Sequence, residues 1–480
     1  MVGPPRPDKR CINAEQLRLP GGKTVAVPGT VYLCGDRHNQ QAQRLGLLKR
    51  LCSKKLPSSP VVMADFEAFV RRFVARLPRV DAFDFEAWLE NTAYNGSRKE
   101  ALRQAHDALH GGRPSKTQRQ RVTAFAKSES YPEVKHLRWI CTRCDAVKAY
   151  VGPALAAVEH ILFYGESTGK YFAKFYKGEG ELAAHIASAP AGLHYAASDY
   201  TAFEAQIDAD LMRRCECVLY NHCLSEFPER ASFICRMITG LNKIKTRDGV
   251  SVRLEGRRMS GDMCTSLGNS FTNLMVALYA AHVSGDDDPW VVVEGDDGLC
   301  GTSDAIDPAV FGANSMGLTI KWEPVSVPTE AGFCGKVFGP DRQVIRDPVR
   351  FFQTFGWSDV AIGMPDWVHH QLLVAKALSA AHETPDCPLV RAAADYVQRV
   401  LPRVKARHIA DGYHTAPDSA ELPPQATTWA TRTLFARKFG ISEMLQIECE
   451  DHIRRGDFEF LAYALQPHHS VVHQAHFGVT

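Results

Sequence analysis

The sequence predicts an α+β protein, and three observations carry that expectation. Between about residues 64 and 109 apolar residues recur at helical intervals, with Phe66, Phe69, Val70, Phe73, Val74 and Leu77 on one stripe that Pro78 ends. Residues 191–348 mix strand-like apolar runs with helical spacing. From about residue 349 the pattern is largely helical again, in 367–381 and 389–400.

The chain's 480 residues suffice for several packed subdomains, and 45% hydrophobic with 23% charged residues is ordinary globular composition, which excludes wholesale disorder. A net charge of +2 means that affinity for a polyanion must come from local clusters. The 14 cysteines form no regular framework, and Met1–Arg10 is polar and Pro-rich with no secretory pattern, so reduced thiols in a cytosolic setting are expected. No uninterrupted apolar run reaches the roughly 18 residues of a membrane span.

Cys141 with Cys144, and Cys215, Cys217, His222 and Cys223, lie close in sequence without a closed four-ligand spacing, and they are expected to be buried free thiols rather than a zinc site. The histidines at 468, 469, 473 and 476 are expected in a solvated tail. Residues 1–60, rich in Pro, Gly, Lys and Arg, are expected to wrap over other parts of the chain.

A basic stretch follows: Arg113, Lys116, Arg119, Arg121, Lys127, Lys135, Arg138, Arg143 and Lys148. It is either a solvated surface or a set of cations held on strands to face phosphate. The alternation with Leu137, Trp139 and Ile140 favours strands.

The strongest local pattern is Trp290-Val291-Val292-Val293-Glu294-Gly295-Asp296-Asp297-Gly298-Leu299-Cys300. A β-branched run meeting Gly-Asp-Asp-Gly predicts a hairpin with two carboxylates at its turn, Gly295 and Gly298 supplying the backbone angles. Adjacent carboxylates at an apolar strand end repel each other and resist desolvation, and a divalent cation relieves both costs. An ordinary Asp-Gly turn is the plainer alternative.

Upstream, Ala196-Ala197-Ser198-Asp199 leads to an acid at a strand end, with Glu204 five residues on. Pairing of the two strands would set Asp199 against Asp296 and bind two Mg²⁺, the arrangement for in-line phosphoryl transfer. Between them, Ser260-Gly261 opens a loop and a helix starts near Thr265, with Asn269 four residues later on the same face. Helix capping and recognition of a ribose hydroxyl are the competing readings.

In order as well as in parts, these segments resemble the palm of a viral RNA-dependent RNA polymerase of positive-strand RNA viruses, tombusvirus-like or related. Asp199-x4-Glu204 resembles motif A, Ser260-Gly261-x3-Thr265-x3-Asn269 motif B, and Gly295-Asp296-Asp297 motif C. Lys127-Ser128-Glu129 with Lys135, Arg138 and Arg143 resembles motif F, residues 317–321 motif D, and Phe333-Cys334-Gly335 motif E. The similarity covers roughly residues 120–350. Glu204 stands where the family often has Asp, one methylene longer. Reverse transcriptases share the palm but lack this form of motif B.

The resemblance implies a right-hand fold of fingers, palm and thumb, the palm an antiparallel sheet flanked by helices. It divides the chain into 1–190 (N-terminal segment and fingers, motif F at about 124–143), 191–348 (palm, with a fingers insertion at about 215–255) and 349–480 (thumb and tail). It implies that Asp199, Asp296 and Asp297 hold two Mg²⁺, Mn²⁺ substituting, and that Lys321 is a proton donor to pyrophosphate. Lys127, Arg138 and Arg143 would contact the triphosphate, and Glu204, Ser260, Thr265 and Asn269 the ribose. RNA template, nascent RNA and NTPs are the implied partners. Other viral or host replication proteins would supply membrane anchoring in host cytoplasm. Another two-metal phosphoryl-transfer enzyme, or a silent palm-fold RNA-binding protein, would not need this whole constellation.

Overall fold

The computed structural model describes residues 14–30, 37, 39–53, 55–127, 135–406, 422–423 and 427–465. Ser128, Glu129 and the tail histidines lie outside them. On the described residues the chain mixes helices with antiparallel-rich sheets, as expected of an α+β protein.

The strands relevant to the site are β1 (Arg121–Ala126), β2 (Trp139–Arg143), β3 (His194–Tyr200), β4 (Leu241–Thr246), β5 (Ser251–Glu255), β6 (Trp290–Glu294), β7 (Asp297–Thr302), β8 (Ile320–Val325), β9 (Gly332–Phe333), β10 (Lys336–Phe338) and β11 (Val344–Arg346). The main helices are α1 (Gln40–Leu51), α2 (Pro60–Val74), α3 (Asp145–Tyr164), α4 (Glu216–Cys223), α5 (Pro228–Ile238), α6 (Thr265–Val283), α7 (Asp366–Glu383), α8 (Val390–Val400), α9 (Trp429–Phe439) and α10 (Glu443–Arg455).

Helix α2 realises the expected stripe. Ser59 caps it, Pro60 takes the first turn where no N–H is needed, and Met63, Phe66, Val70 and Val74 are buried. The helix ends at Val74, short of Pro78, in a turn closed by Leu77 N–H donating to the Val74 carbonyl.

Two four-stranded sheets organise the middle of the chain. One has the order β6-β7-β3-β8 and is antiparallel throughout. The other has the order β2-β1-β4-β5, with β1 and β4 parallel. The segment at 241–255 thus completes a sheet begun more than a hundred residues earlier. Helix α6 is buried on every side from Leu267 to Ala281 and packs behind β6 and β7. Its core is shared with α2, α3, α4 and α5.

Helix α3 is long and apolar enough to cross a membrane by length and composition. That exceeds the sequence expectation, because the helix tolerates Lys148 and Glu159 within its span. It is a core helix: Val147, Val151, Leu155, Val158 and Leu162 are buried, and Gly152 lies so close to the Trp88 ring that a Cβ there would come within 2.4 Å.

A second core unites α7, α8, α9 and α10. Leu17, Leu19, Val25 and Val27 belong to it, and the short strand Glu15–Gln16 pairs with Trp357–Ser358. Helix α1 instead lays Leu47 and Leu51 against the sheet of β1 and β2. The described N-terminal residues therefore reach two separate cores, in keeping with the expectation that this segment wraps over other parts of the chain.

Candidate active site

The β6–β7 hairpin closes with Glu294 opposite Asp297, leaving Gly295 and Asp296 as its two turn residues. Gly295 has φ +59°, the positive angle that a tight two-residue turn demands at its first position. Gly298 serves a different purpose from the one expected: it has no positive φ, but a Cβ there would lie 2.6 Å from Ser198 Oγ. Its lack of a side chain lets β3 approach.

That approach brings the acids together. Ser198 pairs with Gly298, so Asp199 emerges one residue past the β3–β7 ladder, beside the turn. On its other side Asp199 pairs with Lys321 of β8. The Asp296 carboxyl is pushed up by burial under its neighbours, although the residue keeps an exposed edge; Glu204 and Asp199 push it further and Arg138 opposes them. Asp297 rises to about 6, through burial first and then the charges of Asp296 and Asp199. Cys334, at the β9–β10 turn, hydrogen-bonds to Asp297 and partly offsets this. Among the described residues no three His, Cys, Asp or Glu side chains already stand in ligating geometry. The donor set nevertheless fits a hard divalent cation, being oxygen-only and self-repelling.

A cleft of about 180 Å³ lies alongside, lined by Lys127, Arg138, Glu204 and Ser260 together with Arg50, Leu51, Trp139 and Ile140. Four of the expected nucleotide-contacting residues thus share one cavity, and Arg50, from the last turn of α1, joins them unannounced by any local motif. A larger cavity of about 390 Å³ lies at the far end of α6, between α2 and the loop before β6, and contains none of the expected residues.

Ser260 is stitched to β2: its hydroxyl donates to the Trp139 carbonyl at 2.7 Å and accepts from Cys141 N–H at 3.3 Å. Thr265 Oγ1 donates to the Met259 carbonyl at 2.9 Å, closing the loop before α6. Asn269 is buried, and its side-chain oxygen finds no partner among the described residues. Lys321 is exposed and ion-paired with Glu323, which raises its pKa, with a smaller contribution from Asp199.

Arg143 does not face the cleft. It follows Trp139 and Cys141 on the inward face of β2, and period-two alternation buries it with them. Its Nε binds Asp262 Oδ1 at 3.0 Å, and its Nη2 reaches Asn242 Oδ1 at 2.6 Å and the Met237 carbonyl at 3.2 Å. A guanidinium so consumed cannot meet a triphosphate; it anchors the loop that carries Ser260.

The clustered cysteines sit in the protein interior, with Cys144 half-buried. Cys141, Cys215, Cys217 and Cys223 are buried and free, and burial pushes the Cys141 and Cys223 thiols up to about 12. His222 contacts the Leu77 carbonyl at 2.9 Å.

Two residues that sequence reasoning missed bind the β6–β7 hairpin from α6. Ser270 Oγ accepts from Gly295 N–H at 2.9 Å, and Asn273 bonds to both β7 and β3.

Residues 169–384 match the family model of the viral RNA-dependent RNA polymerases. The matched span runs from before β3 through α7 and includes Asp199, Glu204, Ser260, Thr265, Asn269, Asp296, Asp297 and Lys321. The chain carries a viral RNA-dependent RNA polymerase domain. It is therefore an RNA-directed RNA polymerase, a nucleotidyltransferase acting on an RNA template and NTPs. Lys127, Arg138 and Arg143 precede the matched span, so the basic wall of the cleft stands on geometry alone. No curated protein matches the chain.

Proposed function

We propose that this polymerase replicates a viral RNA genome by two-metal-ion nucleotidyl transfer from NTPs to the 3′ end of nascent RNA. The observation that carries the reading is the juxtaposition of the Lys127–Arg138–Glu204–Ser260 cleft with the self-repelling carboxylates of Asp199, Asp296 and Asp297. A cationic wall beside an acidic end is what a metal-bound triphosphate requires.

In this reading Asp199, Asp296 and Asp297 hold two Mg²⁺, with Mn²⁺ as a substitute. Metal bound there would supply Lewis-acid chemistry toward the 3′-hydroxyl and the departing pyrophosphate. Arg138, with Lys127 and Arg50, grips phosphate oxygens; the planar fork of arginine suits them. Glu204, Ser260, Thr265 and Asn269 line the ribose side, where the unsatisfied Asn269 oxygen needs a donor such as a 2′-hydroxyl. Lys321, opposite Asp199 and held protonated, supplies a proton to pyrophosphate. Arg143 acts indirectly, through its bonds to Asp262, Asn242 and the Met237 carbonyl.

The β2-β1-β4-β5 sheet with α1 then forms fingers, the β6-β7-β3-β8 sheet with α6 the palm, and the helices from α7 onward the thumb, following the divisions 1–190, 191–348 and 349–480 with β4 and β5 in the fingers insertion at about 215–255. RNA is held through its backbone, so binding is salt-sensitive and tolerant of sequence. Other viral or host proteins supply membrane anchoring in host cytoplasm.

The test is nucleotide incorporation on single-stranded RNA with Mg²⁺ or Mn²⁺, with and without primer, by the intact chain and Asp296→Ala. Synthesis by the intact chain alone supports the reading; equal synthesis by both removes the assigned site.

A further inference from the structure

Asn273 lies in the middle of α6 and is 1% exposed. Its Nδ2 donates to the Gly295 carbonyl at 3.2 Å and to the Asp297 carbonyl at 3.0 Å. Its Oδ1 accepts from the Tyr200 hydroxyl at 3.1 Å. One turn earlier on the same face, Ser270 Oγ accepts from Gly295 N–H at 2.9 Å. Backbone groups of Gly295 and Asp297, the residues that flank Asp296, are thus tied to α6, and the same carboxamide reaches the residue that follows Asp199.

We infer that Asn273, assisted by Ser270, is a positioning residue that sets the separation of Asp199 from the Asp296–Asp297 turn. The inference rests on reading these three acids as the metal-binding set. The chemistry asks for asparagine. Two donors must meet two carbonyls while one acceptor meets a phenol hydroxyl, and the reversed amide would set oxygen against two oxygens. A leucine would leave all three partners unsatisfied, and an ionised aspartate would supply no donor.

The reason for a clamp is electrostatic. The acids at this end of the sheet repel one another, so the carboxylates by themselves drive the strand ends apart. Helix α6, buried on every side, is a stiff base against which the hairpin is held. Packing is tight there as well: a Cβ on Gly298 would lie 3.4 Å from Asn273 Nδ2. The site's spacing is therefore set from behind, before a cation arrives.

The experiment compares the intact chain with Asn273→Ala, Tyr200→Phe, the double variant and Asp296→Ala. Mn²⁺ binding to the RNA-free protein is followed by electron paramagnetic resonance, alongside Tm and the kcat and KM for NTP. Tyr200→Phe removes one hydroxyl and keeps the ring, so it serves even where Asn273→Ala folds poorly. Loss of a group that orients metal ligands typically weakens binding about 10–100-fold. Asn273→Ala is expected in that range, and Tyr200→Phe at its lower end. In both, kcat should fall while KM for NTP stays within about twofold, as for groups that act on the transition state rather than on substrate binding. The double variant should be no worse than Asn273→Ala, since both changes break one network. A purely structural Asn273 would lower Tm but leave Mn²⁺ affinity and kcat, measured well below Tm, unchanged; that result overturns the inference. If Asp296→Ala also leaves Mn²⁺ binding intact, the metal-set reading falls with it; if only Asp296→Ala abolishes binding, the positioning role alone falls.

Discussion

Replacing Arg143 with methionine separates a structural arginine from a substrate-binding one. The Arg143 and Asp262 side chains are 2% and 3% exposed, and the guanidinium also satisfies Asn242 and the Met237 carbonyl. Arg143→Met therefore strands a buried carboxylate and several acceptors. Breaking a buried pair from one side costs about 3–5 kcal/mol. If the unit that melts with the pair has about 200 residues, at about 2 °C per kcal/mol, Tm falls roughly 6–10 °C. Burial already raises the Asp262 pKa while Arg143 holds it down, so losing the arginine raises it further. The folded state then binds the extra proton, and stability is present at low pH and lost as pH rises through the folded pKa. The variant's deficit should accordingly be smaller at pH 5 than at pH 8, in melts followed by circular dichroism. Arg143→Met with Asp262→Leu should recover much of the loss. An unchanged Tm with a raised KM for NTP would refute the argument and return Arg143 to the triphosphate.

Three further outcomes are expected. Gly298→Ala puts a Cβ 2.6 Å from Ser198 Oγ, so it should cost about 1–3 kcal/mol in denaturant melts and reduce activity, with Ser198→Ala in the same chain restoring part of both. Asn269→Leu removes an oxygen that has no partner among the described residues, so stability should change by less than about 1 kcal/mol, whereas preference for NTP over 2′-deoxy-NTP should fall about tenfold in competition assays. Burial lowers the Lys376 pKa to about 8, so at pH 7 the fold bears a desolvated ammonium. Lys376→Met should stabilise by about 1–3 kcal/mol there, with the advantage shrinking as pH rises from 8 to 10.5, where the folded chain has shed a proton that the unfolded chain keeps.

The hairpin was legible because its determinants are local: a β-branched run, a glycine for the turn, and two acids. Asp199 was legible as the acid closing a run of small residues. Arg143 was misjudged because a cation in a basic stretch reads as exposed, although Trp139-x-Cys141-x-Arg143 carried the alternation that buries it. Ser270 and Asn273 sit on a helix buried all round, where periodicity does not indicate which polar residue meets which strand. Arg50 and the β1–β4 pairing arise from contacts between distant segments, set by packing that no local pattern encodes. The same holds for Leu17 and Val25, whose place in the second core follows from the path of the chain rather than from their neighbours in sequence.

The central claim is that Asp296, at the turn beside the basic cleft, serves template-directed RNA synthesis. It is tested most directly on a single-stranded RNA of defined sequence with one NTP withheld. The account predicts that the intact chain extends to the position before the first complementary need for that nucleotide and stops, and that Asp296→Ala makes no product on the same template. Product that ignores the withheld nucleotide, or equal product from both proteins, would contradict it.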